Sequence, residues 1–319
     1  MLKRILFSIA LLAPVQVWCA DSGSILVLKT AWAQKYRNRL SVEAKVTILH
    51  VSAKEKDADI HGGSRVNQVG LPMVAEILNG TQPSQKRVRQ EMQPNQGSSQ
   101  KTIYGAWRLW FEHPPKGGGA QCQNFGSGAP AMCDRQALRG SDSNPDHSFE
   151  IHPVFAVNGV AAARTSMVLL PDNQGVYDAK SAFKVYTAKT RKVNIARSKS
   201  GLTLNSTRIA YNYVRLRVRV TSASTKTLRD DGTSDGGWVS ADVVTDDDDE
   251  VLQQGARIFY FADSAPGDAL QKSHSGDELE LLGIPRLSLD TILRVSEGKQ
   301  TISIPLPLEF VAVALLPLT

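Results

Sequence analysis

Apolar positions recur along this chain in short alternating or continuous runs, which is the spacing of β-strands and not of long helices. In the first half, SILVLKTAWAQ, SVEAKVTILHVSA, GLPMVAEIL, KTIYGAWRLWFEH and HSFEIHPVFAV carry the Val, Ile, Leu and aromatic residues. Segments rich in Gly, Ser, Pro and Gln separate them, notably NGTQPSQKRVRQEMQPNQGSSQ and PPKGGGAQCQNFGSGAPAMC, and these read as turns and loops. Within the first, SQKRVRQEM is expected to hold a helical turn with a solvated basic face. Five short strands with a helix, over residues 21–160, fit a small closed β-barrel of the OB type. Residues 161–319 continue with FKVYTAK, KVNIARS, GLTLNS, NYVRLRVRVTSAS, WVSADVVT, ARIFYFAD and TISIPLPLEFVAVAL, all read as strands, with turns at DDGTSDGG and TDDDDEV. A short helix is expected near Leu289. The predicted fold class is mainly β: an N-terminal OB-like barrel followed by a second β-rich domain, either a sandwich or another barrel.

The first residues change the picture. Lys3 and Arg4 precede an apolar stretch from Ile5 to Val17, broken by Pro14 and followed by small residues at Cys19 and Ala20. Residues 1–20 are therefore expected to be a secretory signal peptide, too short and interrupted to span a membrane. The formal charge of +6 loses the two positive charges of Lys3 and Arg4 with that leader, leaving about +4. This mild excess permits attraction to nucleic acid or another polyanion without demanding it. Cys122 and Cys133 remain, an even pair in an expected periplasmic or secreted product, and they predict one disulfide across a short Gly-rich loop. The alternative, a Cys/His zinc site, lacks the CxxC spacing.

Candidate chemistry sits in the first half. KDADIHGGSR carries Asp57, Asp59, His61 and Arg65. The i, i+2, i+4 spacing of Asp57, Asp59 and His61 puts all three on one face if the segment is a strand. Glu76 interrupts the apolar run LPMVAEI. In FEIHPV, Glu150 and His152 share a face while Phe149, Ile151 and Pro153 take the other. His113 stands at the end of WFEHPP. Converging carboxylates and imidazoles can hold a divalent cation, with oxygen ligands favouring Ca²⁺ or Mg²⁺ and imidazole shifting the choice towards Zn²⁺ or Mn²⁺. They can also activate water for hydrolysis, or form a hydrogen-bonded network that fixes a barrel corner.

The ordered set DADIH, GLPMVAEI, GAWRLWFEHP and FEIHPV resembles a group of bacterial secreted proteins of uncharacterised function. Their shared pattern is D-x-D-x-H, an A-E-[IF] strand, a run ending in His, and E-[IL]-H-P-[VI]. They look like OB-fold proteins distantly similar to staphylococcal-type nucleases. The resemblance covers roughly residues 25–158, and GDELELLGIPRLSL is similar to a later segment of such proteins. It implies cation-binding carboxylates at Asp57 or Asp59, a general-base Glu76 and a phosphate-clamping Arg65. His61 has no counterpart in such nucleases. A second arginine has no assigned position, although Arg108 and Arg139 are available.

In the second half, YNYVRLRVRV alternates, so that Tyr213, Arg215, Arg217 and Arg219 face one way. That face could track a phosphate backbone with the ring as a stacking platform, or be a solvated face whose arginines pair with acids. Asp246–Glu250 lacks EF-hand spacing and reads as a solvated turn, and NGT at 79–81 matches a glycosylation acceptor. No P-loop or H-E-x-x-H motif occurs. The leading expectation is an exported OB-fold binding protein for nucleic acid or another polyanion. The alternatives are a metal-dependent phosphodiesterase or nuclease, and a structural or envelope-interaction protein without catalysis.

Overall fold

The computed structural model of the chain describes residues 23–53, 57–66, 69–94, 100–115, 119–130, 132–133, 143–163 and 175–318, with the side chains of Arg65 and Val66 excepted. The expected leader and Arg139 lie outside the described residues. In chain order, the first half holds β1 (Ser24–Lys29), α1 (Thr30–Tyr36), β2 (Ser41–Val51), β3 (Ile60–Val66), β4 (Pro72–Ile77), α2 (Lys86–Met92), β5 (Gln100–His113), β6 (Ala120–Cys122), β7 (His147–Val157) and β8 (Val160–Ala161). The second half begins with β9 (Val176–Asp178), α3 (Ala179–Tyr186), β10 (Lys192–Arg197), β11 (Gly201–Ser206) and β12 (Tyr213–Val220). It continues through β13 (Thr225–Leu228), β14 (Ser234–Val244), β15 (Val251–Phe261), α4 (Ala265–Lys272), β16 (Glu278–Leu287), α5 (Leu289–Val295), β17 (Thr301–Pro305) and β18 (Leu308–Leu316).

Three sheets result. The first runs β4-β3-β2-β5-β7-β8, and β4 also meets β7 in parallel over Met73–Ala75. The second runs β13-β14-β15-β18-β16-β12-β9, and β12 also pairs with β14, so that β14, β15, β18, β16 and β12 form a closed five-strand barrel. Of the two architectures open for the second half, it is therefore the barrel; the closed barrel expected over residues 21–160 does not form, because β4 and β7 meet over only three residue pairs and leave the first sheet unclosed. The third sheet, β17-β10-β11-β1-β6, draws β1 and β6 from the first half and the other strands from the second. The boundary expected near residue 160 follows β8, yet chain from both sides of it builds this sheet. Among the described residues no helix is long and apolar enough to cross a membrane.

The strand pattern holds with three local corrections. SILVLKTAWAQ is a strand only to Lys29; Thr30, Ala33 and Tyr36 then bury one face of α1 at helical spacing. FKVYTAK is not a strand, because Asp178 caps α3 by accepting from the Ser181 N–H, and Ala182, Phe183 and Tyr186 turn inward. The C-terminal run divides into β17 and β18 at Leu306–Pro307, where proline cannot donate to a ladder. The helix expected near Leu289 forms, with Ser288 accepting from the Thr291 N–H. Cys122 and Cys133 are joined in a disulfide, which points to an oxidising compartment.

The two halves pack through a shared apolar layer. Leu40, Ala106 and Phe155 of the first meet Phe259, Phe261, Ile284 and Val311 of the second, all buried. Polar links cross the same boundary: Arg108 Nε donates to Pro285 O at 2.9 Å, and Arg286 Nη1 donates to Leu40 O at 3.1 Å and Trp107 O at 3.0 Å.

Candidate functional site

Strand register builds the site. His61 on β3 lies directly opposite Glu76 on β4, and Arg108 on β5 lies opposite Glu150 on β7. The parallel contact aligns Val74 with Glu150. Two residues further along both strands, on the same face by alternation, are Glu76 and His152. Four strands thus bring one row of polar side chains into the core. Close approach of β5 and β7 needs Gly105, where a Cβ would stand 2.3 Å from Pro153 O.

His152 is the centre of the row. Its Nδ1 lies 3.1 Å from Glu76 Oε2 and 3.7 Å from Glu150 Oε2. Its Nε2 lies 2.7 Å from the Tyr213 hydroxyl, which in turn donates to Asp59 Oδ2. With its proton directed at Asp59, the Tyr213 hydroxyl has a lone pair left to accept from the imidazole N–H. Asp59 Oδ1 accepts from the Asn79 N–H at 2.7 Å. Glu150 accepts from Arg108 Nη1 at 2.6 Å and pairs with His147 Nε2 at 3.0 Å. His113 stacks on His147 with ring centroids 5.4 Å apart.

Burial and mutual charge set the protonation of these groups. Burial pushes the Glu76 carboxyl up to about 8 against the pull of His152. Burial opposes charge on His152, but Glu76, Asp59 and Glu150 outweigh it and hold the imidazole up at about 10. Burial alone would raise Glu150; Arg108 and the two imidazoles keep it well below the usual carboxylate range. Burial likewise opposes charge on His147, and the bond to Glu150 overcomes it. Burial, then Asp59, pushes Tyr213 well up, so the hydroxyl keeps its proton. At the rim, burial and Asp59 raise Asp57 to about 6, while burial and His147 lower His113 to about 4.

The expected site residues divide accordingly. Asp59, His61, Glu76, Glu150 and His152 converge, and all five are buried. They do not open into a solvent-reachable pocket: His61, at 6%, is the most exposed of them. Asp57, Asp59 and His61 do not lie on one strand face, because β3 starts at Ile60 and Ala58 takes a left-handed φ of 69°. Asp57 instead accepts from the Asp59 N–H at 3.2 Å. His113 lies at the partly exposed edge beside Glu112. Arg65 is on β3, and its side chain is outside the described residues.

The arginine face is placed differently from its expected role as an open anion track. Arg217 and Arg219 both pair with Glu278, at 2.7 and 2.9 Å, and Arg215 pairs with Glu280. Tyr213 is fully buried and turned to His152, so it is no surface stacking platform. The sequence reading missed Arg108 and His147 as cluster members. Arg108 carried a signal, as a charged residue on the inward side of the alternating aromatic run. His147 carried none, since the register of β5 and β7 shifts between Leu109 and His113. Asn79 is buried, which speaks against glycosylation at NGT. Gly232–Gly236 spells G-x-S-x-G, but it runs from the β13–β14 turn into the start of β14, not through a strand-to-helix elbow, and Ser234 Oγ donates to Gly236 O at 3.1 Å.

Asp59, Glu76 and His152 each offer a ligand atom within 4.8 Å of the others, as do Glu76, His147 and Glu150. The cluster can therefore hold a metal ion, or share protons as an ionic network. No protein-family model and no curated protein matches this chain.

One consequence is a pH dependence of stability. Glu76 rises from 4.5 to about 8 and His152 from 6.5 to about 10 on folding, so the folded chain binds the extra protons. Their contribution is full below the unfolded values and is lost as pH rises through the folded ones. With chelator present, the urea midpoint is expected to fall from pH 6.5 to 8, where both windows overlap. Glu76→Gln should flatten that fall, and a flat wild-type profile would refute the assignment.

Proposed function

We propose that this chain is an exported, non-catalytic binding and interaction protein, with an OB-like N-terminal half held against the C-terminal barrel by the buried cluster. The observation that carries this reading is the sealing of the cluster: Asp59, His152 and Tyr213 are 0% exposed and Glu150 is 1% exposed. A nuclease needs its base within hydrogen-bond reach of an attacking water and a polymer phosphate beside it. The arginine of the cluster, Arg108, is committed to Glu150 and Pro285 O.

The OB-like assignment is supported by the order of pairing. β2, β3 and β4 form a meander, β5 returns to β2, β7 pairs with β5, and β4 meets β7 in parallel. α2 lies between β4 and β5 in the chain, which suits an OB arrangement. The disulfide supports export. A nucleic-acid or other polyanion ligand is supported by the mild positive charge, about +4 once the two positive charges of the expected leader are removed from +6, while the pairing of Arg215, Arg217 and Arg219 with acids favours a protein or envelope partner.

The metal-dependent phosphodiesterase is the second reading, favoured by the carboxylate–imidazole donor set. Cleavage assays on single- and double-stranded DNA and RNA, with Ca²⁺, Mg²⁺, Mn²⁺ or Zn²⁺, separate the two. No cleavage is expected from the wild type under any of these conditions. Metal-dependent cleavage that disappears in Glu76→Gln would replace the non-catalytic reading with the nuclease one.

A further inference from the structure

We propose that Asp59, Glu76 and His152 form a closed structural site for one divalent cation of the zinc class, set in the core between the two halves. This rests on the reading of the cluster as a non-catalytic fixture and names the ion that completes it. Two observations carry it independently. The donor atoms of the three side chains lie within 4.8 Å of one another. In addition, Glu76 Oε2 and His152 Nδ1, both fully enclosed, meet as an ion pair at 3.1 Å, yet neither makes a well-aligned hydrogen bond among the described residues. Buried polar atoms are rarely left in that condition.

The spacing suits a small tetrahedral ion. Bonds of about 2.0–2.1 Å at tetrahedral angles put neighbouring donors about 3.3 Å apart. Glu76 Oε2 is 3.1 Å from His152 Nδ1, close to that spacing, and Asp59 supplies the third donor within 4.8 Å of both. Ca²⁺ takes six to eight oxygens and Mg²⁺ keeps several waters. A sealed set containing imidazole suits neither and favours zinc. Three enclosed donors shut away from solvent make the site structural rather than catalytic.

The surroundings are those of an outer ligand shell. Tyr213 hydrogen-bonds both His152 and Asp59, and the Asn79 N–H holds the other Asp59 oxygen. Such partners fix the orientation of metal ligands. The overlapping set of Glu76, His147 and Glu150 is a weaker candidate, because Glu150 is already held by Arg108 at 2.6 Å and by His147 at 3.0 Å.

The test uses the full chain, unfolded in urea with chelator, then refolded with Zn²⁺ or with chelator retained. One zinc per chain by elemental analysis is expected, with a melting temperature roughly 5 °C or more above that of the chelated protein. Glu76→Gln and His152→Asn, checked for folding by circular dichroism, should lose both the ion and the shift. If these variants fail to fold, Co²⁺ in the wild type gives a second readout: the strong visible absorption of a tetrahedral centre is expected. A refolded chain without zinc, full stoichiometry in Glu76→Gln, or a weak octahedral Co²⁺ spectrum would each overturn the site. Absence of zinc in a chain that also cleaves nothing removes the cation alone. Zinc-dependent cleavage removes the non-catalytic reading and keeps the cation.

Discussion

Replacing Arg286 by methionine is expected to lower the free energy of unfolding by about 3–5 kcal/mol, from breaking a buried ion pair and leaving three carbonyls without that donor. Arg286 is 0% exposed and pairs with Glu309, also 0% exposed, at 2.7 Å across β16 and β18. Its remaining donors reach into the first half, to Leu40 O at 3.1 Å, Trp107 O at 3.0 Å and Arg39 O at 3.1 Å. The guanidinium also lies 3.7 Å from the Trp107 ring centroid. Burial lowers its pKa to about 10, which still leaves it charged at neutral pH. Methionine keeps the apolar stem but abandons three carbonyls and leaves Glu309 with Arg257 as its remaining cation among the described residues. Urea unfolding checks the figure; a loss below about 1 kcal/mol, the worth of an exposed pair, would show that the link between halves is not held there.

Glu150→Ala is expected to cost a similar amount, about 3–5 kcal/mol. Glu150 neutralises Arg108 and His147 in a region where every partner is enclosed. Without it Arg108 keeps Pro285 O as a hydrogen-bond acceptor and, among the described residues, loses its one carboxylate at ion-pair distance. Glu150→Gln preserves the shape and removes the charge. It should recover the part of the loss that comes from packing and leave the electrostatic part. Equal stability of wild type and Glu150→Gln in urea would mean that the charge contributes nothing.

Much of this fold was legible from local pattern. Alternation located most strands, and the two cysteines declared their bond. The face shared by Glu150 and His152 followed from period two. That rule failed at Asp57 and Asp59 because a left-handed residue, Ala58, breaks the extended run before β3. The missed helices α3 and α4 carried local signals: Asp178 and Ser264 each cap the helix that follows, and Pro266 sits in the first turn of α4. Short apolar runs around them read equally well as strands, and only packing decides. Tyr213 was beyond local reading. Its alternation with three half-exposed arginines suggests a surface position, yet it meets His152, 61 positions earlier, and Asp59, 154 positions earlier. Contacts at that range follow from how the halves dock, and no residue spacing encodes docking.

The central claim is that the buried charges act as one interdependent unit joining strands of the first half to one another and to the second. A double-mutant cycle on Arg108 and Glu150 tests it most directly, with Arg108→Met, Glu150→Leu and the combined variant compared with wild type by urea unfolding. The account predicts a coupling energy of about 2–3 kcal/mol, with the double variant more stable than either single one because no buried charge of the pair is left alone. Additive losses, within about 0.5 kcal/mol, would contradict it.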